Sequence, residues 1–407
     1  MNNQNFFPNK FALITLIIGC FVVFVSMGIR QTYGLFFQFF ESDLSITSTS
    51  FGLSIGIQAI VWGTFATIFG LIADKFGANK VVSFALIIYA TGIFFISNFE
   101  SSGLFFQINL GLLVGIGLGG AAAPIVVPTV AKHFPNHDRA KVAGIVTAFA
   151  SVGMFVYPLI SNTLFKITTW NYVFNIFTLV MIFAALLALL LKKPNEENEP
   201  DVVKNQNFIE ALNEAFSHKG YLFLMAGFFV CGFQITLIAT HIPGYMQERG
   251  MGGWSATIIL ALIGLFNIIG TLGMGYLGTK YRKKSLLCIL YALRAVSIAI
   301  FIFSPPSNIM SIVFGISFGL LWLSTVPPTN GIVAQIFGTK YLSSLFGIVF
   351  LSHQVGAFIG AYLGGYFYDQ FGSYDYAFYM AIALSIFATI VHYPINERPI
   401  QRFEATI

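Results

Sequence analysis

The chain has 407 residues, 57% of them hydrophobic and 9% charged, with 46 Phe. A soluble domain carries about 25% charged residues, so this composition excludes a soluble globular protein and points to a polytopic membrane protein. The net charge of +5 is then a signal of membrane topology, and no nucleic-acid partner follows from it.

A helix needs about 20 apolar residues to cross a bilayer. Twelve segments meet that length: residues 11–40, 50–73, 80–99, 104–130, 141–165, 170–191, 220–246, 254–279, 285–304, 308–336, 341–368 and 374–395. The first begins after Lys10 and could be a secretory leader. No A-x-A-like site follows, and the apolar run continues through Arg30 to Phe40, so it reads as a retained membrane helix. Of the 21 Lys and Arg, Arg30 and Arg294 lie within segments, and Lys166 and Arg249 fall on one set of loops. The remaining 17 fall on the termini and the other loops, among them Lys132, Arg139, Lys141 and the run Arg282-Lys283-Lys284. By the positive-inside rule both termini are cytoplasmic, in a multi-pass protein of the cell inner (cytoplasmic) membrane.

The one long polar stretch runs from Lys192 to Lys219 and separates six segments from six. The expected domains are 1–191, a cytoplasmic linker 192–219, and 220–407. Within the linker, Phe208, Ile209, Leu212 and Phe216 recur at helical spacing, predicting a short amphipathic helix on the inner membrane surface; a plain linker helix is the alternative.

The two halves repeat. GIVTAFASVG of the fifth segment matches GIVFLSHQVG of the eleventh at an offset of 203, and MGIRQ of the first aligns with VCGFQ of the seventh at nearly the same offset. Gly70-Leu71-Ile72-Ala73-Asp74-Lys75 pairs with Gly275-Tyr276-Leu277-Gly278-Thr279-Lys280 at an offset of 205. Repeated halves of six helices predict a transporter with its site at their interface. The expected fold is therefore an all-α membrane protein: 12 transmembrane helices in two pseudo-symmetric six-helix bundles.

At these residues the chain resembles the major facilitator superfamily. Gly70-Leu71-Ile72-Ala73-Asp74-Lys75-Phe76-Gly77-Ala78-Asn79-Lys80 looks like that family's G-x-L-a-D-r-x-G-r-k loop, with Ala78 where a basic residue is usual. GIRQTYGLFF of the first segment is similar to the bacterial branch related to monocarboxylate porters, in which a basic residue commonly sits at the position of Arg30. The resemblance implies a gating role for Asp74, with Gly70, Lys75 and Gly77 shaping its loop. Asn267 and Thr271 stand where those relatives carry an Asp and an Arg, so that acid-base pair does not carry over. Gly144, Gly153, Tyr157 and Pro158 partly resemble the fifth-helix motif of the superfamily's antiporters, without its closing glycines.

Arg30 and Arg294 carry the sharpest chemical signal. A guanidinium at mid-membrane costs about 2.5–3.5 kcal/mol on insertion scales, and none of the 16 acids is central to any segment. Arg30 lies 20 residues beyond Lys10, about 30 Å along a helix. There it could bind a carboxylate bidentately, or it could snorkel to the outer interface. Arg294 lies about 14 Å deep by the same rise; it could share the ligand, or bond to carbonyls of neighbouring helices or to Asn267.

Other polar groups lie inside segments. His353, beside Gln354, is the candidate for a titrating group, with His241 behind it and a packing role as the alternative. Gln234, Asn267 and Asn330 are added as ligand contacts. Pro327 and Pro328 remove two backbone donors from the tenth segment and predict a kink; Pro124 and Pro128 do the same in the fourth. Gly111, Gly115, Gly144, Gly153 and Gly356 read as close-packing positions.

The composition and motifs then select among functions. The main expectation is a secondary transporter carrying a small organic anion by alternating access, with a monocarboxylate as one candidate and protons as a candidate coupled ion. The alternative is an exporter of amphipathic small molecules or drugs, although cation exporters commonly use a membrane acid. A non-transporting sensor is the third class, but the central linker offers little output domain. No enzyme signature is present: the G-x-G-x-x-G of Gly115, Gly117 and Gly120 follows no strand. Cys20, Cys231 and Cys288 lie in apolar segments without C-x-x-C spacing and read as packing residues, so no metal or other cofactor is expected. The protein is expected to be a monomer.

Overall fold

The computed structural model describes residues 10–99, 103–191, 207–338 and 340–400, apart from the side chains of Asp74, Asn136 and His137. Twelve helices in it are long and apolar enough to cross a membrane: Lys10–Gln31, Ser48–Ala73, Ala78–Asn98, Gly103–Ala131, Asp138–Leu164, Trp170–Ala188, Lys219–Glu248, Gly253–Lys280, Lys283–Phe303, Asn308–Phe337, Leu342–Phe371 and Asp375–His392. They are referred to below as the first to twelfth spans.

Three of the predicted segments are composites. The first helix stops at Gln31 and a second runs over Tyr33–Leu44. At the join the Thr32 amide bonds to the Ile29 carbonyl at 3.0 Å and its hydroxyl to the same carbonyl at 2.7 Å. A hydroxyl that takes a backbone carbonyl competes with the helical ladder. The fourth span contains a π-helical stretch, Gln107–Leu113, and breaks at Ala122, two residues before Pro124. The tenth breaks after Leu321 and restarts at Val326, with Pro327 and Pro328 in the opening turn where they forfeit no helical bond. These prolines therefore begin a helix rather than bend one from within.

The pairing of spans repeats with a shift of six. The first packs on the fifth as the seventh on the eleventh, the third on the sixth as the ninth on the twelfth, and the second on the fourth as the eighth on the tenth. Buried residues form two clusters, one drawn almost wholly from residues 12–191 and one largely from 215–395. Glycines permit the tightest crossings. A Cβ on Gly153 would run into the Phe24 carbonyl, and one on Gly356 into the Phe229 carbonyl. These are equivalent positions of the sequence repeat. By contrast, open space surrounds the place of a Cβ on Gly144.

The short helix after the linker spans Phe208–Ser217, with Asn207 and Glu210 forming a reciprocal capping box. Ala211 and Ala215 are its buried positions, whereas Phe208, Ile209 and Phe216 are exposed. The apolar stripe read in the sequence is split: Leu212 packs on the second half, Phe208 and Phe216 touch Tyr341 and Tyr221 with their outer sides exposed, and Ile209 faces away.

The halves meet through two further symmetric pairs, the second span with the eleventh and the fifth with the eighth. Contact is tight at the end opposite the termini. The Asp369 carboxylate accepts the Ser48 amide at 3.2 Å and the Thr49 amide at 2.7 Å. The Ser48 and Tyr374 hydroxyls lie 3.0 Å apart. Nearer the middle, the Gln354 amide donates to the Ala59 carbonyl at 2.7 Å and the Asn267 amide to the Ser151 hydroxyl at 2.8 Å. Toward the end that holds the termini, Gly144, Gly273, Gly275, Gly278 and Gly347 have open space where a Cβ would stand.

Candidate functional site

Arg30 lies in the last turn of the first helix, one residue before Gln31 closes it. A cation there complements the negative end of the helix dipole. Its Nε donates to Gln58 Oε1 at 3.2 Å, and its guanidinium lies over the Trp62 ring, 5.1 Å from the centroid. Among the described residues, no acceptor bonds its two terminal nitrogens. Arg30 lines a small recess together with Tyr33, Gly34, Ile55, Gln58, Ala239 and Thr240. Ala239 and Thr240 come from the seventh span, so the recess lies between the halves. Gly34 makes this possible: a Cβ there would stand 2.7 Å from the carbonyls of both Ala239 and Thr240. The Tyr33 hydroxyl is turned away, donating to Tyr89 at 2.7 Å.

Arg294 is placed differently. It is fully buried within the second half. Its Nε and Nη2 donate to the Leu321 carbonyl at 3.2 and 2.7 Å, Nη2 also bonds the Trp322 carbonyl, and Nη1 reaches Gln234 Oε1 at 3.2 Å. Tyr291 and Phe318 sandwich it at 5.3 and 5.7 Å. Leu321 and Trp322 stand at the break of the tenth span, whose carbonyls lack helical partners. The guanidinium fills that gap, an arrangement that buried backbone carbonyls require.

The other predicted ligand contacts are also engaged by protein. Gln234 donates to the Ala381 carbonyl at 2.9 Å and to Ser385. Asn267 Oδ1 accepts the Leu323 amide at 2.9 Å and the Thr271 hydroxyl at 3.1 Å, tying the eighth span to the break in the tenth. Gln354 Oε1 lies 3.0 Å from His353 Nδ1 while its amide crosses to the second span. His353 packs between Phe228 and Phe350. Asn330 is half-buried in the second part of the tenth span. In the loop expected to gate, Gly77 has φ +98°, a conformation that favours glycine. Gly70 has only Ile125 within reach of a Cβ, and the Lys75 ammonium lies over the Phe76 ring. The Asp74 side chain lies outside the described residues.

The sequence reading missed Gln58, Trp62 and Thr240, and missed Asp369. Gln58 and Trp62 are i and i+4 on one helix face, a spacing that places both beside a single partner. Asp369-Gln370-Phe371-Gly372 repeats Asp74-Lys75-Phe76-Gly77, and both glycines have positive φ. That echo marks the end of the eleventh span as a counterpart of the end of the second.

Two six-span bundles, closed at one end and with a recess between them lined by a guanidinium, define a membrane transporter of the two-half type. The model of the Major Facilitator Superfamily matches residues 19–326 and 268–406. The chain belongs to that superfamily, whose members are multi-pass membrane transporters moving small molecules and not enzymes. It is 25% identical over 343 residues to an MFS-type transporter of Bacillus subtilis, YcxA, with 82% of each chain covered. It is 22% identical over 384 residues to the hexuronate transporter of the same organism, covering 89% of each. Monocarboxylate transporter 12 of Mus musculus is 21% identical over 413 residues, covering 92% of this chain and 84% of that one. Among solved structures, a bacterial homologue of the human lysosomal transporter Spinster superposes with a TM-score of 0.79 at 14% identity, covering 95% of this chain and 96% of that one.

Proposed function

We propose that this protein carries a small organic anion bearing one carboxylate, by alternating access, with Arg30 as the group that binds it. The observation that carries the reading is the contrast between two guanidiniums, Arg294 fully buried and Arg30 partly so. Arg294 is consumed by carbonyls of its own half, whereas the terminal nitrogens of Arg30 bond no described acceptor and the residue lines a recess between the halves. Paired parallel N–H donors match a carboxylate. A single guanidinium that no described acid neutralises balances one negative charge, which favours a monocarboxylate over a dicarboxylate. The names of two relatives, a hexuronate and a monocarboxylate transporter, agree in chemistry.

With the termini in the cytoplasm of a cell whose inner membrane holds the chain, the end where the halves are closed faces outward. The domains are then 1–191 and 220–407, joined by 192–219 and rocking as a monomer about the recess. The Gly70–Gly77 loop with Asp74 and Lys75 closes the inner end when the outer end opens. His353 is the candidate for linking protons to this cycle. The test is uptake by the purified protein in liposomes of radiolabelled acetate, lactate, pyruvate and glucuronate. Saturable uptake of one of them, competed by its carboxylate analogues and not by its amide, supports the reading. Uptake of none of the four overturns it.

A further inference from the structure

We infer that Gln58 is a positioning residue for substrate binding: anchored on the π-helical stretch of the fourth span, it holds the Arg30 guanidinium so that only the edge formed by Nη1 and Nη2 meets the anion. This inference rests on the assignment of Arg30 as the anion's partner.

Gln58 is fully buried, and a buried amide must place both its donor and its acceptor. Its Nε2 donates to the Leu110 carbonyl at 3.0 Å, and its Oε1 accepts from Arg30 Nε at 3.2 Å. Only one orientation satisfies both partners, because a carbonyl cannot donate and a guanidinium cannot accept. The amide thus runs as a fixed strut from the fourth span to the arginine. Trp62, one turn further along the second span, lies over the guanidinium and limits its tilt.

The anchor has its own structural origin. Leu110 lies within the π-helical stretch Gln107–Leu113; such widened turns occur often at functional sites. Glycines flank it on the face toward the second span. A Cβ on Gly111 would stand 3.1 Å from the Ser54 carbonyl, and one on Gly115 3.0 Å from the Gln58 carbonyl. The two backbones therefore lie close enough for one glutamine side chain to bridge them. The glycine pattern of the fourth span acquires a specific purpose beyond general packing.

The consequence is geometric. A guanidinium can grip a carboxylate from the side, through Nε and one terminal nitrogen, or end-on through both terminal nitrogens. Gln58 occupies Nε, so the end-on grip remains. An anion presenting two coplanar oxygens satisfies it.

The experiment uses full-length protein in liposomes and, as probe, whichever of acetate, lactate, pyruvate and glucuronate the wild type carries with the lowest KM. Uptake of none of these ends both the function and this inference. Arg30→Gln with wild-type uptake overturns the Arg30 assignment itself, whatever Gln58 does. Gln58→Leu is expected to raise KM about tenfold, the scale of one hydrogen bond to a charged group, with Vmax within about twofold. In an Arg30→Lys background, which lacks the guanidinium Nε, the same change is expected to shift KM by less than about twofold, the non-additivity of residues that act as a unit. Gln58→Met, uncharged and close in length but without the amide, carries the same two comparisons if Gln58→Leu does not fold. A wild-type KM in these Gln58 variants, or a full additive loss in the Arg30→Lys background, overturns the positioning role.

Discussion

Asp369 at the end of the eleventh span caps the first turn of the second span across the interface between the halves, its carboxylate accepting the Thr49 amide at 2.7 Å and the Ser48 amide at 3.2 Å. A carboxylate at a helix N-terminus satisfies orphan donors and meets the positive end of the helix dipole. The contact lies where the halves are closed. Under the proposed alternating access, this contact is expected to act as a latch that breaks when this end opens. Loss of a capping side chain costs about 0.5–2 kcal/mol, enough to change a two-state population severalfold. Spin labels on cysteines replacing Glu41 and Gln370, both exposed, should report a larger fraction of long distances in Asp369→Ala than in the parent. An unchanged distance distribution would show that the latch does not bias the equilibrium.

The glycines of the repeat divide by what surrounds them. Gly153→Ala and Gly356→Ala each push a methyl group into a backbone carbonyl of the neighbouring span. Overpacking of this kind costs about 1–3 kcal/mol, and thermal unfolding in detergent should fall by several degrees. Gly144→Ala meets open space in this conformation and should leave the unfolding temperature near the parent's. A loss for Gly144→Ala equal to that of Gly153→Ala would mean that the fifth span packs elsewhere.

Arg294 should behave as a structural residue. Arg294→Gln removes donors from the Leu321 and Trp322 carbonyls, and each buried group left unpaired costs about 1–3 kcal/mol. The expected outcome is a lower unfolding temperature, with KM for the carried anion within about threefold in whatever protein folds. A large rise in KM at unchanged stability would return Arg294 to the substrate site.

Asp43 gives the closed end a pH dependence. The Ser42 hydroxyl, at 2.6 Å, and then the Trp170 indole, at 2.7 Å, hold its carboxyl below the usual carboxylate range. The lowered folded value means that its contribution is full above the unfolded value near 3.9 and lost as pH falls through the folded one. As pH falls below about 4, the unfolding temperature should therefore decline more steeply in the parent than in Asp43→Asn. Asp43 is exposed, so the difference should be small. Identical slopes would show that this carboxylate contributes nothing.

The fold was legible in the sequence because the bilayer imposes length and polarity on every span, and the repeat placed Gly153 and Gly356 as equivalents. What stayed hidden depended on contacts between distant segments. Arg30 and Arg294 look alike as isolated cations in apolar runs. The break that exposes the Leu321 and Trp322 carbonyls to Arg294 arises from the fold of the tenth span, and no local pattern ties those carbonyls to residue 294. Nothing in the sequence near Gln58 links it to Arg30, which lies 28 positions away on another helix. Its relation to Arg30 depends on a π-helical stretch in a third helix, which hydropathy does not reveal. Asp369 was discounted because it lies at a segment end, where an acid normally meets water.

The most direct measurement of the central claim is anion uptake by Arg30→Gln in liposomes, beside wild type and with folding verified by thermal unfolding. Arg30 is the one guanidinium among the described residues that lines the recess between the halves. The account predicts that saturable uptake of the carboxylate substrate is abolished while the variant unfolds within a few degrees of wild type. Uptake with wild-type KM and Vmax would contradict it.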